Sequence, residues 1–174
     1  MDASTLIKKK EFLTREFLTW LWFRSDTREG LFEIPGGKSV RLWLGNRIVL
    51  ASDPESHASS ITWSGETGDL REARVALAGG KKVTEARFLL EMDGEEWAFT
   101  LDSVWLNLKS LKTPKVQKDD ETDQDAIVLE KIHLADLAFQ ALEGLCRLFV
   151  RVRLAENWAD SELPRFRKWI KAAQ

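Results

Sequence analysis

An α+β fold is the prediction from this sequence: antiparallel β-hairpins packed with an apolar helix near the N-terminus and a long helix near the C-terminus. Three observations carry it. Residues 15–25, REFLTWLWFRS, crowd Phe17, Leu18, Trp20, Leu21, Trp22 and Phe23 into about two helical turns. The middle of the chain holds short apolar alternations broken at Gly-Asn and Asp-Gly, the pairs that favour tight hairpins. After an acidic break, one apolar stripe at helical spacing continues from Ile127 to Val152.

Each element follows in order. With residues 11–25 helical, Leu13, Phe17, Trp20 and Leu21 share one face. Phe12 and Phe23 lie to one side of it, Leu18 and Trp22 to the other. A helix apolar nearly all round is buried on several sides, so a central packing helix is expected rather than an exposed aromatic face. SVRLWLGNRIVLAS predicts a hairpin turning at Gly45-Asn46, and SSITWSG a further strand. GDLREARVALAGG predicts a short helix with Asp69 near its N-cap, Leu70, Arg74 and Leu77 at helical spacing, and Gly79-Gly80 as its stop. KKVTEARFLLEMDGEEWAFTLDS predicts a second hairpin turning at Asp93-Gly94, and VWLNLKSLK another strand or extended edge.

TPKVQKDDETDQD gathers Asp119, Asp120, Glu121, Asp123 and Asp125, which predicts a solvated, mobile acidic loop over 115–125. Ile127, Leu134, Ala138, Ala141, Leu145, Leu148, Phe149 and Val152 then make one stripe, so a single long helix is expected. SELPRFRKWIKAAQ predicts a short terminal helix. No internal repeat is present, and residues 1–174 read as one domain.

Composition sets the outer bounds. The 174 residues suffice for a sizeable core, and 44% hydrophobic with 31% charged residues excludes a disordered chain. There are eight Trp and no Tyr. Lys and Arg number 26 against 28 Asp and Glu, a net charge of −2, with a pI near 5.8. Duplex binders are usually basic because neutralised phosphates supply much of the affinity, so this balance argues against a non-specific nucleic-acid binder. The single Cys146 excludes an internal disulfide framework and fits a reducing cytoplasm. No apolar run approaches the roughly 20 residues that span a bilayer. MDASTLIKKKEF carries three lysines with no apolar core behind them, so no secretory signal is expected.

The chemistry-bearing motifs are few. PGGKSV contains the Gly-Lys-Ser tail of a phosphate-binding loop, but that loop needs a glycine where Phe32 stands and a helix after the Lys; VRLWLG reads as a strand. Gly36-Gly37 is therefore expected as a turn. His57, His133 and Cys146 are the only nitrogen and sulfur ligands, and no two stand at metal-binding spacing. His57 lies in a polar loop, where it is expected to be solvated, and His133 is expected as a boundary residue of the long helix. The acidic run lacks the glycine and terminal Glu of a calcium loop. Cys146 sits mid-helix at an apolar position, as an inert thiol does, and no nucleophile-elbow pattern occurs. Glu95 and Glu96 are adjacent in a strand and so point to opposite faces. No enzyme is expected, and no cofactor or metal.

One charge feature remains. Gln140, Glu143, Arg147 and Arg151 share a side of the long helix, and RFRKWIK adds Arg165, Arg167, Lys168 and Lys171. Cations near a helix C-terminus also favour the macrodipole, which accounts for such a cluster without any ligand. A basic surface interleaved with Trp158, Phe166 and Trp169 would instead follow a phosphate backbone, with aromatics for base stacking.

GDLREARVALAGGKKVTEARFLL, followed by TLDSVWLNLKSLKTPKV, an acidic break and a long apolar helix, resembles the C-terminal half of the recombination-associated protein RdgC family. In that family a short helix leads into a GK-x-V-T step, an alternating strand, an L-x-x-LK segment, an acidic loop and a closing helix. The matching residues are Gly80, Lys81 or Lys82, Val83 and Thr84, then Leu108, Leu111 and Lys112. EFLTWLWFRS also resembles a segment upstream of this half, and the likeness covers residues 11–155.

The resemblance implies a bacterial or phage protein related to a dimer that encircles double-stranded DNA and limits access of the RecA recombinase. Family members are longer, and their ring-closing N-terminal half has no counterpart in this sequence. ITWSGETGD, basic in well-known members, here has no Lys or Arg. Phosphate contacts are therefore expected from Lys81, Lys82 and Arg87 and from Arg147, Arg151, Arg165, Arg167 and Lys168. The expected function is non-enzymatic DNA binding in recombination, by a cytoplasmic or nucleoid-associated homodimer. The alternative is a protein-interaction module on the same fold, with a recombinase among the partners the resemblance implies.

Overall fold

The computed structural model describes residues 12–52, 61–64, 70–116 and 124–172. His57, Asp69, residues 65–68 of the ITWSGETGD segment and residues 117–123 of the acidic stretch lie outside them. A π-helical turn, Phe12–Glu16, runs directly into helix α1, Phe17–Thr27. Phe17, Leu18, Trp20, Leu21, Trp22 and Phe23 are all buried, as a helix apolar on every side requires. The chain reverses at Glu29 and Gly30, both at positive φ, into β1, Leu31–Ile34. Pro35-Gly36-Gly37 turns it again into β2, Lys38–Ala51, with both glycines at positive φ. The Gly-Lys-Ser tripeptide is thus a turn entering a strand.

The remaining elements are β3, Ile61–Ser64; α2, Arg71–Ala78; β4, Lys82–Met92; β5, Glu95–Asp102; and β6, Leu108–Lys112. Helix α3, Gln124–Arg153, a 3-10 turn, Glu156–Trp158, and α4, Glu162–Lys171, complete them. The six-stranded sheet has the order β1-β2-β4-β5-β6, all neighbours antiparallel, and β3 pairs with the far end of β2. The architecture is α+β, as the sequence predicts.

The expected hairpin at Gly45-Asn46 does not form. β2 passes through it as one 14-residue strand, with a bulge between Leu44 and Ile48 in its pairing with β4. Leu44 faces Phe88 and Ile48 faces Ala86, so the inserted residues keep Val40, Leu42, Leu44, Ile48 and Leu50 on the buried face. A Cβ on Gly45 would lie 3.2 Å from the Arg87 carbonyl oxygen, so this glycine permits close backbone approach rather than a turn. Asp93-Gly94, by contrast, turns as expected: both residues have positive φ, and Met92 pairs with Glu95.

The core lies between one sheet face and the helices. Phe88, Leu90, Trp97, Phe99 and Leu101 point into it from β4 and β5. Trp20 packs edge-on to Phe32, with ring centroids 5.8 Å apart, and against Phe149 of α3 at 5.2 Å. The Trp97 indole N–H donates to the Leu134 carbonyl at 2.9 Å, tying β5 to α3. α3 is one helix, and Gly144 lets it close on Ile34, whose side chain would lie 2.9 Å from a Cβ there. The opposite sheet face carries ion pairs, among them Arg41–Glu91 at 3.6 Å and Arg47–Glu85 at 3.2 Å.

Candidate nucleic-acid interface

Four cationic side chains from separate parts of the chain line one cleft of about 470 Å³: Arg15, Lys81, Lys82 and Arg153. Arg15 comes from the π-helical turn, Lys81 from the turn between α2 and β4, Lys82 from the first residue of β4, and Arg153 from the end of α3. Gly79-Gly80 ends α2, with Gly80 at positive φ, and the Lys81 amide donates to the Ala76 carbonyl at 3.1 Å. That turn delivers both lysines to the cleft mouth, where Lys81 Nζ also reaches Ser52 Oγ at 3.5 Å. Phe166 and Ile170 of α4 and Leu77 of α2 form the apolar floor.

Glu16 is the one acid among the described residues that line the cleft, and Arg153 Nε donates to it at 2.8 Å. Arg153 also lies over the Trp158 ring at 5.2 Å, which fixes its guanidinium. Arg15 is buried, and its carbonyl accepts the Thr19 hydroxyl at 2.7 Å. Among the described residues four cations thus share the cleft with Glu16, and low-dielectric walls focus the field of such charges. Single π-helical turns are rare and frequent at functional sites, and this one supplies both Arg15 and Glu16.

The sheet end beside Lys82 carries a second feature. Asp102, at the end of β5, accepts the Val104 and Trp105 amides at 3.0 Å each, and Lys109 Nζ lies 3.0 Å from its other oxygen. Burial pushes the Asp102 carboxyl up. The Trp105 amide, Lys109 and the Val104 amide outweigh burial and hold it below the usual carboxylate range. The Ser103 amide donates to the Thr84 carbonyl at 2.8 Å, fastening this connection to β4. The result is Trp105 presented 71% exposed at the tip.

The other expected contacts are dispersed. Arg87 lies on the sheet face away from the helices, beside Gly45. Arg165 and Lys168 line a different cleft with Phe23 and Arg28, and Arg165 lies 3.9 Å from Glu162. Arg167 is exposed on α4. Arg147 is held by Glu143 at 2.7 Å, one turn back on α3. Arg151 stands two residues before Arg153, about 200° around the helix, and faces away from the cleft. The interleaved aromatics are not stacking platforms, since Trp158, Phe166 and Trp169 are buried under α4 and the 3-10 turn. Trp105 is exposed instead.

Elsewhere, burial first and Glu143 second push the Cys146 thiol up to about 11, so it carries no thiolate near neutrality. His133 is exposed on α3. Glu95 and Glu96 are exposed at the Asp93-Gly94 turn. Among the described residues no three His, Cys, Asp or Glu side chains converge as a metal site. Among the same residues no helix is long and apolar enough to cross a membrane. No family model, curated protein or solved structure matches the chain.

Proposed function

We propose that this chain is a non-enzymatic nucleic-acid-binding protein whose phosphate contacts centre on the cleft of Arg15, Lys81, Lys82 and Arg153. The convergence of those four cations on one cleft carries the reading. Lys81 and Lys82 belong to the step that resembles the RdgC family, and that resemblance supplies double-stranded DNA and a recombination setting as the expected context. Trp105, at the same sheet end, adds an exposed ring of the kind on which bases stack. The net charge of −2 makes the expected affinity weak and confined to this one face.

A titration with fluorescent duplex and single-stranded DNA at two salt concentrations tests the reading. Binding that varies little with sequence and weakens steeply with salt is expected, because phosphates are the main contacts. No binding to either form at low salt overturns it. A second reading, a protein-interaction module on this fold, is favoured by the apolar outer face of α3, where acidic residues stand beside Val128, Leu129, Ile132 and Phe139.

A further inference from the structure

We infer that the outer face of α3 docks a basic amphipathic helix of a protein partner. The proposal deepens the protein-interaction reading, rests on it, and is independent of DNA binding. Val128, Leu129, Ile132 and Phe139 are between 53% and 67% exposed. At about 100° per residue, Val128, Ile132 and Phe139 fall within a narrow stripe, with Ala135 between them and Leu129 on its flank. Single exposed apolar residues are ordinary; four within three turns of one helix form a contiguous patch. The opposite face of α3, with Leu134, Ala138, Ala141 and Leu145, is already buried in the core, so packing of the domain itself does not account for the outer stripe.

Charge selects the occupant. Asp125, Asp136 and Glu143 fall along one flank of the stripe, within a turn of its apolar residues. Asp125, in the first turn, also suits the helix dipole, but Asp136 and Glu143 lie well beyond it. Among the described residues of α3 up to Glu143, Asp125, Glu130, Asp136 and Glu143 stand against Lys131, with Glu143 itself paired to Arg147. An apolar stripe flanked by carboxylates is complementary to a helix with an apolar seam and Lys or Arg flanks. The stripe, from Val128 to Phe139, is about 17 Å long, or three turns of a partner helix.

The probe is a labelled peptide of about 18 residues, five turns, built from Leu and Lys at helical period, with a scrambled isomer of identical composition as control. Anisotropy titration against the full chain is expected to show saturable, salt-sensitive binding of the patterned peptide and at least tenfold weaker binding of the scrambled one. An Ile132→Ser/Phe139→Ser variant should lose at least tenfold in affinity at an unchanged melting temperature, because both side chains are exposed. Asp136→Lys should weaken binding as well.

Equal binding of the two peptides, or no effect of the serine variant, overturns the proposal. Sedimentation separates its failure from that of the underlying reading. If the peptide fails but the chain dimerises and the serine variant is monomeric, a second copy is the occupant and the interaction reading stands. If neither occurs, both fall.

Discussion

At Asp102 two amides and one ammonium converge on a single carboxylate, and the arrangement has a measurable pH consequence. Its carboxyl is held below the ordinary value of 3.8, so the folded state binds that proton less readily than the unfolded one. The stabilisation is therefore complete above about pH 4 and is lost as pH falls through the depressed folded value. Asp102→Asn should flatten the acid limb of a stability profile below about pH 4, with the melting temperature at each pH as the measurement. A limb as steep as the parent's would place the acid sensitivity elsewhere. Gly30 gives a steric counterpart: a Cβ there would sit 2.3 Å from the Leu42 oxygen, at a φ of +71°. Gly30→Ala should cost about 2–4 kcal/mol in denaturant unfolding, from strain and clash together. Trp20→Ala, which removes a wholly buried ring from Phe32 and Phe149, should cost about 3–5 kcal/mol. That burial was legible because the residues around Trp20 leave the helix no polar side. Trp105 was not: within VWLNL it reads as one more strand residue, and the available signal was the Asx-turn pair Asp102-Ser103 before it.

Helix α4 is the element whose attachment depends most on a few side chains. Glu162 lies within 3.5 Å of Arg24, 3.4 Å of Arg28 and 3.9 Å of Arg165, and the Trp169 indole donates to Asp26 at 2.9 Å. Burial first, then Arg28, lowers the Arg24 pKa, while Glu162 opposes both. Glu162→Gln should therefore cost about 1–2 kcal/mol by leaving the buried Arg24 guanidinium without its carboxylate; the long contacts place it at the lower end of the range. Urea unfolding measures it, and a parent-like midpoint would mean that Phe166 and Trp169 alone hold the helix. Elements of this kind, with aromatic anchors at helical spacing, were legible in the sequence, as were α3 and the Asp93-Gly94 hairpin. Gly45-Asn46 misled because turn chemistry is local, whereas β2 is set by pairing with 11-residue β4 on one side and with β1 and β3 on the other. Long-range partners overrode a strong local signal.

At the scale of the whole molecule, two charged regions stand apart among the described residues of a slightly acidic chain. Positive side chains converge where α1, the α2–β4 turn and the end of α3 meet, and acidic ones accumulate along the start of α3. Half of the cleft was legible, since Lys81-Lys82 follow a visible helix stop. Arg15 and Arg153 were not, because 138 positions separate them and only tertiary packing brings them together. The separation turns the nucleic-acid proposal into a comparison between two cation pairs. Lys81→Ala/Lys82→Ala removes charges that share the cleft with two arginines, so each lost phosphate contact should reduce the salt dependence of duplex affinity by roughly 0.9 in the log–log slope. Arg147→Ala/Arg151→Ala removes one charge already paired with Glu143 and one facing away from the cleft, so the slope should stay at the parent's value. Both pairs are solvent-accessible enough that folding should survive, which circular dichroism checks. Equal losses in the two variants would mean a diffuse electrostatic surface with no centre in the cleft. A loss confined to the α3 pair would move the contact surface to that helix, next to the acidic flank of its apolar stripe.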